Sequence, residues 1–162
     1  MSSSEEAPNK HFLFPGTLFA EPHEFQISTV LGSCVSVCLW DCIAGIGGMN
    51  HYMLPLWNGE GLATPKYGNI AIEKLLTRMY KMGCRKEHLT AKVFGGANVT
   101  GTGNEIFMIG DRNIMLAFQM LEDFCIPVKA SDVGGHVGRK VIMNTATGVV
   151  MVGKGKTTLP TT

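Results

Sequence analysis

Gly32-Ser33-Cys34-Val35-Ser36-Val37-Cys38-Leu39-Trp40-Asp41 is followed by Ile46-Gly47-Gly48-Met49-Asn50-His51-Tyr52-Met53-Leu54-Pro55, which places His51 seventeen residues beyond Cys34. The first run is apolar and β-branched and is entered from a glycine, the pattern of a strand; the second closes another apolar strand. A thiol at the mouth of one strand and an imidazole at the end of the next supply a nucleophile and a proton carrier that adjacent strands bring together. Gly32-Ser33 suits a tight turn whose backbone N–H groups face a developing oxyanion. Gly47 and Gly48 leave room for a second chain to approach. Free cysteines are also among the most often buried residues, and a strand-end histidine is often a hydrogen-bonded core group, so a packing role stands beside the catalytic one.

Outward from this pair, Glu24 to Val30, Val35 to Asp41 and Ile43 to Met49 read as strands. From Tyr67 to Met82 the period changes: Ile72, Leu75, Leu76 and Met79 recur at i, i+3, i+4 and i+7, with Gly83 placed as a C-terminal cap. Ala91 to Phe94 is a short strand stopping at Gly95-Gly96, and a polar, glycine-rich stretch runs on to Asn104. Asp111 is expected to cap a second helix carrying Ile114, Ala117, Phe118, Leu121 and Cys125, ended by Pro127. Pro127 to Ser131, Lys140 to Asn144 and Val149 to Gly153 read as strands, the last two joined by a hairpin at Thr145-Ala146-Thr147-Gly148. Many strands and two separated helices predict an α/β (α+β) fold, with mixed β-sheets in a sandwich flanked by the helices. Residues 1–11 and 154–162 are expected to be flexible tails around one domain at 12–153.

The 162 residues suffice for one domain, and 45% hydrophobic content argues for a packed globule. Fourteen Lys+Arg against thirteen Asp+Glu, without a basic stripe interleaved with aromatics, argue against nucleic acid as a partner. The N-terminus is polar and acidic where a signal peptide is basic and then apolar, and no apolar run is long enough to insert in a membrane. A cytoplasmic protein with reduced thiols is expected, in keeping with an odd count of five cysteines.

Other chemical candidates are weaker. Cys34, Cys38 and Cys42 match no zinc or iron–sulfur spacing, and on a strand four residues span roughly 13 Å, too far for one ion to bridge, so no metal and no cofactor are expected. Cys38, Cys84 and Cys125 are assigned to core packing, as are Met49, Met53, Met108, Met115, Met120 and Met143. The runs Gly101-Thr102-Gly103 and Gly134-Gly135-His136-Val137-Gly138-Arg139-Lys140 complete no phosphate-binding motif and read as turns. His136 and Arg139 are candidates for holding a substrate carbonyl or a partner's carboxylate, whereas His11, His23 and His88 are assigned to solvent.

Taken together, Leu31 to Asp41 and Ile46 to Pro55 resemble the signature of the CheD family of chemoreceptor glutamine deamidases. Lys92-Val93-Phe94-Gly95-Gly96-Ala97, Ile109-Gly110-Asp111-Arg112-Asn113 and Asp132 to Lys140 resemble its later blocks, in order, over roughly residues 16 to 153. The resemblance implies a sandwich related to toxin-type cysteine deamidases and a Cys-His-Thr triad. Carried over, the nucleophile is Cys34 and the imidazole His51. The family's hydroxyl lies six residues before the cysteine, at Ser28, with Thr29 as the alternative; on a strand these two point to opposite faces, so only one can orient His51. The implied substrate is a glutamine of methyl-accepting chemotaxis receptors, and the implied partners are the CheC phosphatase and, through it, phosphorylated CheY. Two other readings are a non-catalytic regulator of CheC and a general cysteine amidase.

Overall fold

In the computed structural model, which describes residues 7–99 and 108–155, two sheets stack face to face and two helices cover the outer side of one of them. The chain order is β1 (Asn9–Phe12), β2 (Thr17–Ala20), β3 (Phe25–Leu31), β4 (Val35–Asp41), β5 (Ile46–His51), α1 (Gly68–Lys81), β6 (Leu89–Gly95), α2 (Ile109–Asp123), β7 (Val128–Val133), β8 (Arg139–Asn144) and β9 (Val150–Lys154). One sheet has the order β1-β3-β8-β9 and the other β2-β5-β4-β6-β7. Both are mixed, since β1 runs parallel to β3 and β7 parallel to β6. This is the sandwich with two helices that the sequence predicts. Glycine run 101–103 lies outside the described residues, as do the outer parts of both expected tails.

Strand β4 shows how alternation builds the layers. Val35, Val37 and Leu39 enter the cluster beneath the helices, where Ile72, Leu75 and Met79 of α1 and Ala117 and Leu121 of α2 meet them. Cys38 enters the second cluster, between the sheets, with Met49, Phe94, Ile27 and Val141, and Trp40 packs against it. The adjacent glycines of β5 are consumed by this stacking. A Cβ on Gly48 would stand 2.7 Å from Ala20 Cβ and 2.9 Å from Leu75 Cδ1, and one on Gly47 2.8 Å from Met143 Cε. Their smallness admits β2, α1 and β8, all internal neighbours.

Several local expectations change. β1 begins at Asn9, inside the segment expected to be a tail, because its backbone pairs with β3 from Asn9↔Phe25 to Phe12↔Ser28. Met108, with extended φ and ψ, is the N-cap of α2, and Asp111 sits in the first turn, where its charge favours the helix dipole. Met53 and Met115 are exposed, as is Cys125 at the left-handed turn after α2. His11 stacks on Phe19, with ring centroids 3.8 Å apart. No helix among the described residues is long and apolar enough to cross a membrane.

Candidate active site

Cys34 lies just before β4, and His51 is the last residue of β5. The β4–β5 register pairs Cys38 with Met49, and the same register holds at an isolated bridge between Val35 and Tyr52, made by Val35 N–H to Tyr52 O (3.1 Å) and Tyr52 N–H to Val35 O (2.9 Å). Counting outward, Ser36 faces His51 and Cys34 faces Met53. Cys34 and His51 are therefore diagonal neighbours, a relation that sets Cα atoms about 7–8 Å apart and within reach of longer side chains. Both point between the sheets: Cys34 packs on the inter-sheet cluster, and His51 reaches across to β3.

The contact on β3 is Thr29. Its Oγ1 lies 2.7 Å from His51 Nδ1 and also donates to the Leu13 carbonyl at 2.7 Å. A hydroxyl has one proton, so with that proton on Leu13 the bond to the ring requires Nδ1–H as donor. Nε2 is left unprotonated and free to accept. Thr29 and His51 are buried. Ser28, the favoured orienter on sequence, faces the other way. It lines a shallow depression of about 150 Å³ on the outer side of its sheet, with Lys10, Gln26, Lys140 and Ile142. The residue beside His51 is the alternative, Thr29, because the odd positions of β3 point inward: Ile27 and Leu31 share its face, in the inter-sheet core.

Burial dominates the electrostatics. It pushes His51 down from the ordinary imidazole value to about 4 and raises the Cys34 thiol. Among the described residues no carboxylate pairs with the ring, and its partner Thr29 is neutral. At neutral pH the proton therefore rests on sulfur, and the pair is thiol and imidazole.

The turn ahead of Cys34 is fastened by β6 and the loop after it. Gly96 N–H donates to Cys34 O (2.8 Å) and Ala97 N–H to Gly32 O (2.9 Å). Gly95 has φ +108, and a Cβ there would stand 2.2 Å from Cys34 O. Gly95→Ala is expected to break this fastening, lowering the thermal midpoint well beyond Gly83→Ala, where φ is +96 but nothing lies within 4 Å of the added carbon. The Gly83 change measures backbone strain alone, about 1–3 kcal/mol. Equal losses in thermal melts would show that the crowding at Cys34 O is relieved elsewhere.

Of the other candidates, Arg139 is buried and committed internally: it pairs with Asp132 Oδ1 at 2.7 Å and donates to the carbonyls of Asp132 and Gly134. It ties the end of β7 and the turn at Gly134 to the start of β8. His136 is exposed, with Nδ1 3.3 Å from Asn98 O. Asn113, which sequence reasoning passed over, is fully buried on α2 and donates through Nδ2 to Ser33 O (3.0 Å) and Met53 O (3.1 Å). The available signal was a polar residue on the apolar stripe of Gly110, Ala117 and Leu121.

A family model described as CheD chemotactic sensory transduction matches residues 53–154. A probable chemoreceptor glutamine deamidase CheD of Trichlorobacter lovleyi is 60% identical over 96% of this chain and 98% of its own. Proteins of the same name from Sulfurimonas denitrificans and, numbered 1, Anaeromyxobacter dehalogenans are 45% and 41% identical, over 88% and 87% of this chain and 92% and 82% of theirs. With relatives of one kind matched along nearly its whole length and the family model across more than half of it, the chain belongs to the CheD family.

Proposed function

We propose that this protein deamidates glutamine side chains of methyl-accepting chemotaxis receptors to glutamate, with Cys34 as nucleophile, His51 as proton carrier and Thr29 as its orienter. The observation that carries the site assignment is the 2.7 Å contact of Thr29 Oγ1 with His51 Nδ1, on the face toward which Cys34 points. The substrate follows from the names of the relatives.

Because thiol and imidazole are both neutral at rest, sulfur becomes a nucleophile only as it attacks. Nε2 of His51 takes the Sγ proton while Sγ adds to the side-chain amide carbon. Among the described residues the Cys34 N–H has no backbone acceptor, and it is the donor that receives the oxyanion. Nε2 then passes the proton to the amide nitrogen, the C–N bond breaks, ammonia leaves and a thioester remains. Water gives a proton to Nε2 and adds to the thioester carbon; the C–S bond breaks, and the sulfur takes the proton back. Proton delivery is the larger effect, since an amide nitrogen departs poorly unprotonated and a positioned acid contributes about 10²- to 10⁴-fold.

The test is mass spectrometry of a receptor cytoplasmic fragment after incubation, with free glutamine in parallel. Conversion of particular receptor glutamines to glutamate is expected, and comparable turnover of free glutamine would instead favour a general amidase. Across pH, kcat/KM should fall on the acid side only near the His51 value of about 4, because the base must be neutral to accept the thiol proton. An acid limb at or above 6.5, the ordinary imidazole value, would contradict the buried neutral ring. The protein acts in the cytoplasm in this reading, and CheC, the partner the family resemblance implies, binds the same molecule. A Cys34→Ala protein that still stimulates CheC while leaving receptors unmodified separates the two roles.

A further inference from the structure

Pairing between β4 and β5 is continuous only from Cys38/Met49 to Asp41/Ile46. Nearer the catalytic end, Val37 N–H donates to the Asn50 side chain (2.8 Å), and regular pairing resumes only at the isolated Val35/Tyr52 bridge. Past that bridge the two chains bond to other partners: Met53 N–H donates to Lys66 O, and Cys34 O accepts from Gly96 N–H. One side chain spans both there: Asn113 Nδ2, on the carbonyls of Ser33 and Met53. The same residue's backbone carbonyl accepts the Tyr52 hydroxyl at 2.5 Å, so α2 is seated on the residue that follows His51.

The amide orientation is settled by its acceptors, since a flipped group would set oxygen against two carbonyls. Its Oδ1 is buried and unpartnered among the described residues. An orphaned acceptor is a poor stabilising device, and α2 already has Ala117 and Leu121 in the core. What the amide does, and an apolar side chain would not, is fix the distance between two strand ends.

We propose that Asn113 is a positioning residue for this reaction: its Nδ2 holds the turn before Cys34 against the chain after His51, keeping Sγ and Nε2 within proton-transfer reach. The inference rests on the deamidase reading above. Asn113→Ala removes the tie, and Asn113→Asp keeps its volume while placing oxygen against the carbonyls. Leu121→Ala, a core truncation two turns along α2, serves as a control for stability alone.

Turnover of the receptor fragment is measured at a temperature where circular dichroism shows each variant folded. The Asn113 variants are expected to lose about 100-fold in kcat with KM within about twofold of wild type, the scale of a small misplacement of reacting groups. Leu121→Ala should retain wild-type kcat despite a lower thermal midpoint. A second readout needs no substrate: alkylation of Cys34 by iodoacetamide at neutral pH. His51→Gln should slow it in the wild-type background and have no further effect alongside Asn113→Ala. Loss of kcat no greater than in Leu121→Ala, or full additivity of the two changes in alkylation, overturns the proposal. A wild-type protein that modifies no receptor would refute the deamidase reading instead, and the alkylation coupling would still decide the role of Asn113.

Discussion

Cys34→Ala and His51→Ala are each expected to reduce receptor deamidation by about 10⁴-fold or more, with the double variant scarcely worse than either, because residues that act as one unit are far from additive. Without sulfur there is no covalent intermediate. Without the ring, the thiol has no acceptor for its proton and ammonia no donor. The histidine matters nearly as much as the cysteine because the neutral resting pair holds no ready-made thiolate that a protein lacking the imidazole could still use. Thr29 keeps the Leu13 carbonyl as its acceptor when the ring is removed, so His51→Ala leaves no new unpaired hydroxyl proton. Mass spectrometry of the receptor fragment decides the matter. Most of the activity surviving in His51→Ala would contradict the assigned role.

The second large effect separates neighbours on one strand. Thr29→Val keeps shape and branching but removes the oxygen that fixes Nδ1–H, freeing the ring to rotate or to protonate on Nε2. A loss of about 10²-fold in kcat is expected, since a wrongly held tautomer cannot accept the thiol proton, along with about 1–3 kcal/mol of stability from the unpaired Leu13 carbonyl. Thr29→Ser restores the hydroxyl and should recover most of the rate. Ser28→Ala, on the outer face, should leave turnover within about twofold, as surface changes away from special features do. The reverse pattern would move the orienting role to Ser28.

Cys34 and His51 are legible in the sequence as candidates because each sits at a strand end announced by glycine and apolar residues, a purely local signal. The choice between Ser28 and Thr29 is not. Alternation says that one of them faces inward, but which one depends on the side of β3 covered by the other sheet, and that side is the one where Ile27 and Leu31 join Cys38, Met49 and Phe94 of β4, β5 and β6. β1 escapes a local reading for a related reason: Asn9-Lys10-His11-Phe12 has little strand character of its own and is extended because the β3 edge offers it hydrogen bonds. Asn113 is hidden by distance, since its partners at Ser33 and Met53 lie 80 and 60 residues earlier in the chain. The helices and the central strands, whose periodicity and burial agree, are readable nearly to their ends.

Holding the catalytic proton on sulfur also bears on survival under oxidative stress. Peroxide attacks the thiolate, and a thiol raised by burial offers little of it at neutral pH. On the proposed mechanism the nucleophile is created only against a bound amide, so Cys34 is expected to stay off the path to sulfenic acid between turnovers.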